Sequence, residues 1–290
     1  MLVVVQVIIS GILAGGVYAL ASVGLALIFG VVRLVNFAHG EFLMIAMYFA
    51  FWLHAIFGLT PYASLPINLI LMAVLGYVIF KVIMSRVLEA EQSIQMLITL
   101  ALSMVLQNLA LILFRADFRS IRLPITTAWV NVGDITLGLP RLIAFVIAIS
   151  ASVALYLFLQ KTFAGAAMRA IAQNSKAAEL MGIHVRQVYL QAFVIGSCLV
   201  GLAGLLISPI YPIFPMVGGT FSTLSFIVVV IGGLSSIPGA ILGGLLIGVV
   251  ESLAGYFFGP AFQQAAYFLL FIVVLILRPT GLFGAGRAMQ

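Results

Sequence analysis

Val3-Val4-Val5-Gln6-Val7-Ile8-Ile9-Ser10-Gly11-Ile12-Leu13-Ala14-Gly15-Gly16-Val17-Tyr18-Ala19-Leu20-Ala21-Ser22-Val23-Gly24-Leu25-Ala26-Leu27-Ile28-Phe29-Gly30 contains no charged residue. About 20 apolar residues cross a bilayer core about 30 Å thick, so this run exceeds one crossing and is expected to tilt or to break near its glycines. No basic segment precedes it, so it reads as a retained span rather than a cleaved leader. Further apolar runs follow at 37–57, 63–84, 94–114, 141–159, 187–208, 222–234, 239–257 and 262–277. The 222–234 run is short for a span and ends at Gly232-Gly233, so it reads as a tilted crossing or a broken half-helix.

Composition agrees. The 290 residues are 64% hydrophobic and only 7% charged, against about 25% charged in a soluble domain. A water-soluble enzyme with a polar shell is excluded, and so is a disordered chain, which needs charge and low hydropathy. The expected fold is one all-α polytopic membrane domain, residues 1–290, with eight to nine transmembrane helices.

The net charge of +6 would suggest nucleic acid in a soluble protein. Here the basic residues do not form a clustered face, and the densest group, Arg115 to Arg122, includes Asp117; no nucleic-acid partner is expected. Basic residues favour the cytoplasmic side of a membrane. With the 160–186 loop inside, Arg33, Lys81, Arg86, Lys161, Arg169, Lys176, Arg186, Arg278 and Arg287 fall inside, and Arg115, Arg119, Arg122 and Arg141 outside. The N-terminus is then outside and the C-terminus cytoplasmic.

Two segments outside the spans carry local structure. In 115–140, alternation on both sides of Gly133-Asp134 predicts a small external hairpin. In 161–186, Lys176-Ala177-Ala178-Glu179-Leu180-Met181 favours helix and Gly182 suits a C-cap, so one short amphipathic helix is expected on the cytoplasmic side. Glycines at four-residue spacing, Gly11 with Gly15, Gly239 with Gly243 and Gly244 with Gly248, read as close helix–helix packing.

Ionisable and polar residues inside spans are functional candidates by their cost. Asn36 is expected to cap the second span, with His39 and Glu41 in its opening turns, where a carboxylate suits the positive helix end. Glu251 lies deep in the eighth run. Gln95, Thr99 and Ser103 stand in register at i, i+4 and i+8, with Gln107 and Asn108 beyond. Such a face points at protein or water rather than lipid. His54 reads as an interfacial residue, and Cys198, the single cysteine, as a small buried hydrophobe. There is no Gly-x-Ser-x-Gly elbow, no His-x-x-x-His or cysteine pair for a metal, and no Gly-Lys for a phosphate loop. The chain therefore reads as a transporter without metal or cofactor rather than an enzyme.

Asn36-Phe37-Ala38-His39-Gly40-Glu41-Phe42 after a glycine-rich first span resembles the signature of the LivH-type branched-chain amino acid permeases of ABC importers. Arg169-Ala170-Ile171-Ala172-Gln173-Asn174 with Ala177, Ala178 and Gly182-Ile183 resembles that family's ATPase-docking loop. Gly232-Gly233-Leu234-Ser235-Ser236-Ile237-Pro238-Gly239-Ala240, with Gly243-Gly244 and Glu251, resembles its C-terminal signature, although the family more often has glycine at Ser235. The family also includes permeases for urea, short amides and aromatic acids.

The resemblance implies a permease in the inner membrane of a bacterium. Its partners would be two ATP-binding subunits, a second related permease, an extracytoplasmic solute-binding protein and membrane lipid. It implies coupling through the 169–183 helix, with Arg169, Ala177, Ala178, Glu179 and Gly182 at the ATPase. Asn36, His39, Glu41, Gln95, Thr99, Ser103 and Glu251 are the candidates for the path or its gate. The alternative is an autonomous carrier or channel for a small solute such as urea or an amide. Ion coupling commonly uses carboxylates near the bilayer midplane, and Glu41, near a helix start, leaves only Glu251 deep.

Overall fold

The computed structural model describes residues 2–283 other than Pro124, Thr126, Thr127 and Asp134; Arg287 of the orientation argument and Asp134 of the hairpin turn lie outside the described residues. The chain folds as α1 (Leu2–Val32), α2 (His39–Phe57), α3 (Leu65–Ile79) and α4 (Ser85–Val87), then α5 (Gln92–Phe114). The strands β1 (Trp129–Val132) and β2 (Ile135–Gly138) come next. They are followed by α6 (Leu139–Lys161), α7 (Phe163–Gln173), α8 (Ser175–Leu180), α9 (Val185–Ile207), α10 (Val217–Gly232), α11 (Ile237–Phe258) and α12 (Ala261–Leu277). A π-turn over Phe80–Met84 joins α3 to α4. Among the described residues, seven helices are long and apolar enough to cross a membrane, counting α3 to α4 as one; α10 and α12, with 16 and 17 residues, are shorter. The nine apolar runs of the sequence thus become nine helices of a membrane bundle.

α1 is apolar on every face, the pattern of a helix buried all round. It is unbroken and packs most extensively on α11, then on α9 and α6. The glycine pairs explain that closeness. A Cβ on Gly15 would lie 2.7 Å from the Gly244 carbonyl oxygen, and one on Gly11 would lie 2.6 Å from that of Gly248. The two glycine pairs are therefore one interface, where backbones meet and dispersion replaces the hydrophobic effect as the driving force. α5 is the opposite case. Most of it is not buried in the bundle, and Leu97, Leu100, Met104, Leu109 and Ile112 face outward, as suits a lipid-facing helix.

Contacts between connecting segments sort them to two ends. At one end Gln6 donates to the Thr136 carbonyl at 3.2 Å, and Arg119 pairs its backbone with Ile213. At the other end Arg33 donates to the Ala172 carbonyl at 3.2 Å and Arg186 to that of Ser85 at 3.1 Å. The hairpin forms as expected: β1 and β2 are antiparallel, with Val132 paired to Ile135 and Gly133 at φ +63°, the backbone that a two-residue turn needs.

The expected single helix in 161–186 is two. Asn174 is extended (φ −154°, ψ 104°), ends α7, and accepts the Ala177 N–H at 3.1 Å to cap α8. That side-chain competition with the helix backbone is what breaks the run. Gly182 closes α8 as expected, at φ +84°; its N–H reaches the Glu179 carbonyl at 2.9 Å, and that of Ile183 reaches Ala178 at 3.1 Å, the paired pattern of a Schellman close.

Candidate functional site

Residues 33–38 leave α1 in non-helical form. Arg33 takes φ +58°, and the chain turns back into the bundle. His39 Nε2 lies 2.9 Å from the Ala21 carbonyl oxygen, and Ala21 is eleven residues short of the end of α1. At 1.5 Å per residue that is about 16 Å into the bundle. α2 therefore begins deep inside. α10 begins at the same level: the Gly40 N–H donates to Ser222 Oγ at 2.8 Å, and Ser222 Oγ donates to the Phe37 carbonyl at 3.0 Å. A Cβ on Gly40 would fall on the Gly218 carbonyl oxygen, and one on Gly218 on the Glu41 carboxylate. Two helix N-termini meet here with no room for a side chain between them.

Irregular backbone at this depth must find its hydrogen bonds within the protein, and the polar residues of the sequence supply them. Asn36 does not cap α2, whose N-cap is Ala38; its Oδ1 accepts the Ala38 N–H at 3.1 Å and holds the re-entrant turn. Thr99 Oγ1 donates to the Val35 carbonyl at 3.0 Å. Ser103 Oγ and Gln107 Nε2 donate to Glu41 Oε1 at 3.2 and 3.3 Å. Gln95 Nε2 bonds the Leu88 and Ala90 carbonyls at 3.1 and 3.0 Å, one turn below. Thr99, Ser103 and Gln107 on this face thus brace the break between α1 and α2, while Gln95 holds the turn that leads into α5. Asn108 is exposed and bonds its own helix at Met104, so it stands apart from that face.

Glu41 is fully buried at the centre of the bundle. The sequence reads Glu251 as deep and Glu41 as merely near a helix start; the structure encloses Glu41 the more fully of the two, because α2 opens inside the bundle rather than at its edge. Glu251 is half-buried in α11, toward the hairpin end. It lies beside Tyr18 on the wall of a cavity of about 260 Å³ that is also lined by Arg141 and Tyr211. A second cleft of about 410 Å³, beneath the hairpin, shares Ser10, Leu13, Arg141 and Ile210 with it. No ion pair of Arg141 with Glu251 occurs among the described residues.

At the opposite end, Leu180 and Met181 are 88% and 83% exposed, outside every span, at the tip of α8. Ala177, Glu179 and Gly182 share that exposed tip, and Ala178 is buried against the bundle. Arg169 lies apart on α7, partly buried, with one terminal guanidinium nitrogen that has no partner. Of the other candidates, His54 Nδ1 donates to the Leu59 carbonyl at 3.1 Å, and Cys198 is a free thiol near the Leu69 carbonyl.

Tyr18, Ser222 and Asn68 were not singled out from sequence, and Arg141 entered there only as an outer charge. Asn68 is buried and donates to the Ala46 carbonyl at 2.9 Å. Its signal, an amide within an apolar run, was legible; the pairing of Tyr18 with a carboxylate 233 positions away was not.

The arrangement, a helical bundle with two helices opening at mid-depth and an exposed apolar tip at one end, agrees with comparison to known proteins. Residues 7–277 match the model of the family described as branched-chain amino acid transport system / permease component. The chain belongs to that family. It is similar to the high-affinity branched-chain amino acid transport system permease protein BraD of Pseudomonas aeruginosa, 30% identical over 96% of this chain and 95% of the relative. It is equally similar, at 30%, to the permease protein LivH of Salmonella typhimurium over 96% and 95%. A probable permease protein LivH of Methanocaldococcus jannaschii is 30% identical over 94% and 90%. No solved structure matches. As a member of this permease family, the chain is a multi-pass membrane component of a transport system and not an enzyme.

Proposed function

We propose that this chain is the permease subunit of an ABC importer for branched-chain amino acids: leucine, isoleucine and valine. The observation that carries the reading is kinship along nearly the whole chain to permeases named for that transport. ATP-binding subunits bind at α8, where an apolar tip stands in water, an expensive exposure unless a partner covers it. An extracytoplasmic binding protein delivers substrate at the hairpin end. A second, related permease completes the path.

Orientation follows from charge. The end with α8 carries Arg33, Lys81, Arg86, Lys161, Arg169, Lys176 and Arg186, so it is the cytoplasmic end, with the N-terminus outside. Among the outer arginines, Arg119 has a packing role, its guanidinium 5.2 and 5.3 Å from the Phe51 and Trp52 ring centres. That weakens its weight as a topology signal.

The gate is the junction of α2 and α10. Asn36, His39 and Glu41 hold the break, and Thr99, Ser103, Gln107 and Ser222 support it from α5 and α10, while Gln95 steadies the turn before α5. Interrupted helices at mid-membrane can rock without unfolding the bundle. ATP binding shifts the two states because the ATPase holds α8 differently in each. In intact cells carrying the whole importer, leucine uptake should vanish when the ATP-binding subunits are deleted. Uptake that persists without them would establish an autonomous carrier or channel instead.

A further inference from the structure

The cavity at the hairpin end is lined by one guanidinium and one carboxylate, with no ion pair between them among the described residues. Arg141 comes from the first turn of α6 and Glu251 from the outer half of α11. The same wall carries Leu13, Val17 and Ile207 together with polar Ser10, Ser252 and Gln263, and Tyr18 lies next to the carboxylate. Opposite charges bordering one partly dry cavity attract, and in a packed bundle they would gain by closing into an ion pair. Unpaired on the wall of one cavity, they are both open to a ligand that carries both charges.

Volume narrows the class. About 260 Å³ falls below the roughly 300 Å³ at which sites for drug-sized ligands begin, so a peptide is too large. A single free amino acid with an aliphatic side chain suits it. The neighbouring cleft of about 410 Å³ beneath the hairpin shares Arg141 with the cavity, which supplies a route from the outer end.

We infer that this cavity is a zwitterion site for an aliphatic amino acid: Arg141 takes the α-carboxylate, Glu251 the α-ammonium, and Leu13, Val17 and Ile207 the side chain. The site lies within one permease chain and near its outer face, separate from the Glu41 junction. Tyr18 is a positioning residue that holds the Glu251 carboxylate toward the space. The inference rests on the amino acid reading of the function.

The test uses the whole transporter, with Cys198→Ser so that Ser252→Cys, on the cavity wall, is the one thiol on this chain. The rate at which a small maleimide labels that cysteine is followed with leucine, 4-methylpentanoate or 3-methylbutylamine present. Leucine should slow labelling about tenfold or more, and each analogue, which leaves one charge unmatched, should protect at least about tenfold more weakly. Arg141→Gln and Glu251→Gln should each abolish protection by leucine. Equal protection by leucine and the amine, or protection unchanged in both glutamine variants, overturns the assignment. Leucine uptake by the parent transporter is measured in the same membranes: uptake with no protection removes this site and leaves the functional reading intact, whereas no uptake with full protection keeps the site and removes the reading.

Discussion

The two interior carboxylates of this bundle sit in opposite settings. Glu41 is enclosed: Ser103 and Gln107 donate to it, Gly218 packs on it, and no solvent reaches it. Glu251 opens onto a cavity, with a tyrosine beside it and an arginine on the same cavity wall. One carboxylate is spent on holding irregular backbone, and the other is left for something that arrives. A membrane protein can keep a costly group for either purpose; its partners tell which.

The largest effect that tests this contrast should come from the Glu41 junction. Gly40→Val places a side chain where the Gly218 carbonyl and Ser222 already sit, so it should prevent folded permease from accumulating in the membrane. Normal amounts of folded Gly40→Val would show that the two helix starts are not locked. At the α8 tip, Gly182→Pro or Glu179→Lys should abolish ATP-driven uptake while insertion stays normal. Gly182 has φ +84°, which proline cannot adopt. Intact uptake in both variants would remove the coupling role of this turn.

A smaller effect is expected on α5. Thr99→Leu removes the donor to the Val35 carbonyl, leaving a buried acceptor unmet at a cost of about 1–3 kcal/mol. Uptake and thermal stability should fall more than for Leu100→Ala, whose side chain points outward. Equal effects would mean that the polar face does not brace the break. The smallest effect belongs to Trp129→Ala on the hairpin. Trp129 is exposed, so stability measured by heat-induced aggregation should change by no more than about 0.5 kcal/mol.

Much of this was legible before any coordinates. Apolar runs of the length of a bilayer announced each helix, because burial in lipid leaves few other patterns, and the boundaries fell within a few residues, apart from the start of the short tenth helix. The hairpin and the close at Gly182 were equally plain, since turn and cap chemistry is local. Depth was not. Glu41 follows a helix start in the sequence, and nothing local says that the chain re-enters the bundle after Arg33 before α2 begins. The role of Asn36 was misplaced for the same reason: an asparagine that precedes a helix looks like a cap, and here it holds a turn two residues earlier. The split at Asn174 was also hidden, because alanine-rich sequence on both sides favours helix and only the competing side-chain hydrogen bond breaks it. The cavity was least visible, assembled from α1, α6 and α11 across more than two hundred residues.

Sidedness is the claim on which substrate delivery at the hairpin and ATPase docking at α8 both depend. In a Cys198→Ser chain, single cysteines at Phe118 and Met181, both exposed, are treated in intact cells with a maleimide that cannot cross the membrane. Phe118→Cys should label at once and Met181→Cys only after the membrane is opened. Labelling of Met181→Cys in intact cells, with Phe118→Cys protected, would invert the molecule and contradict the account.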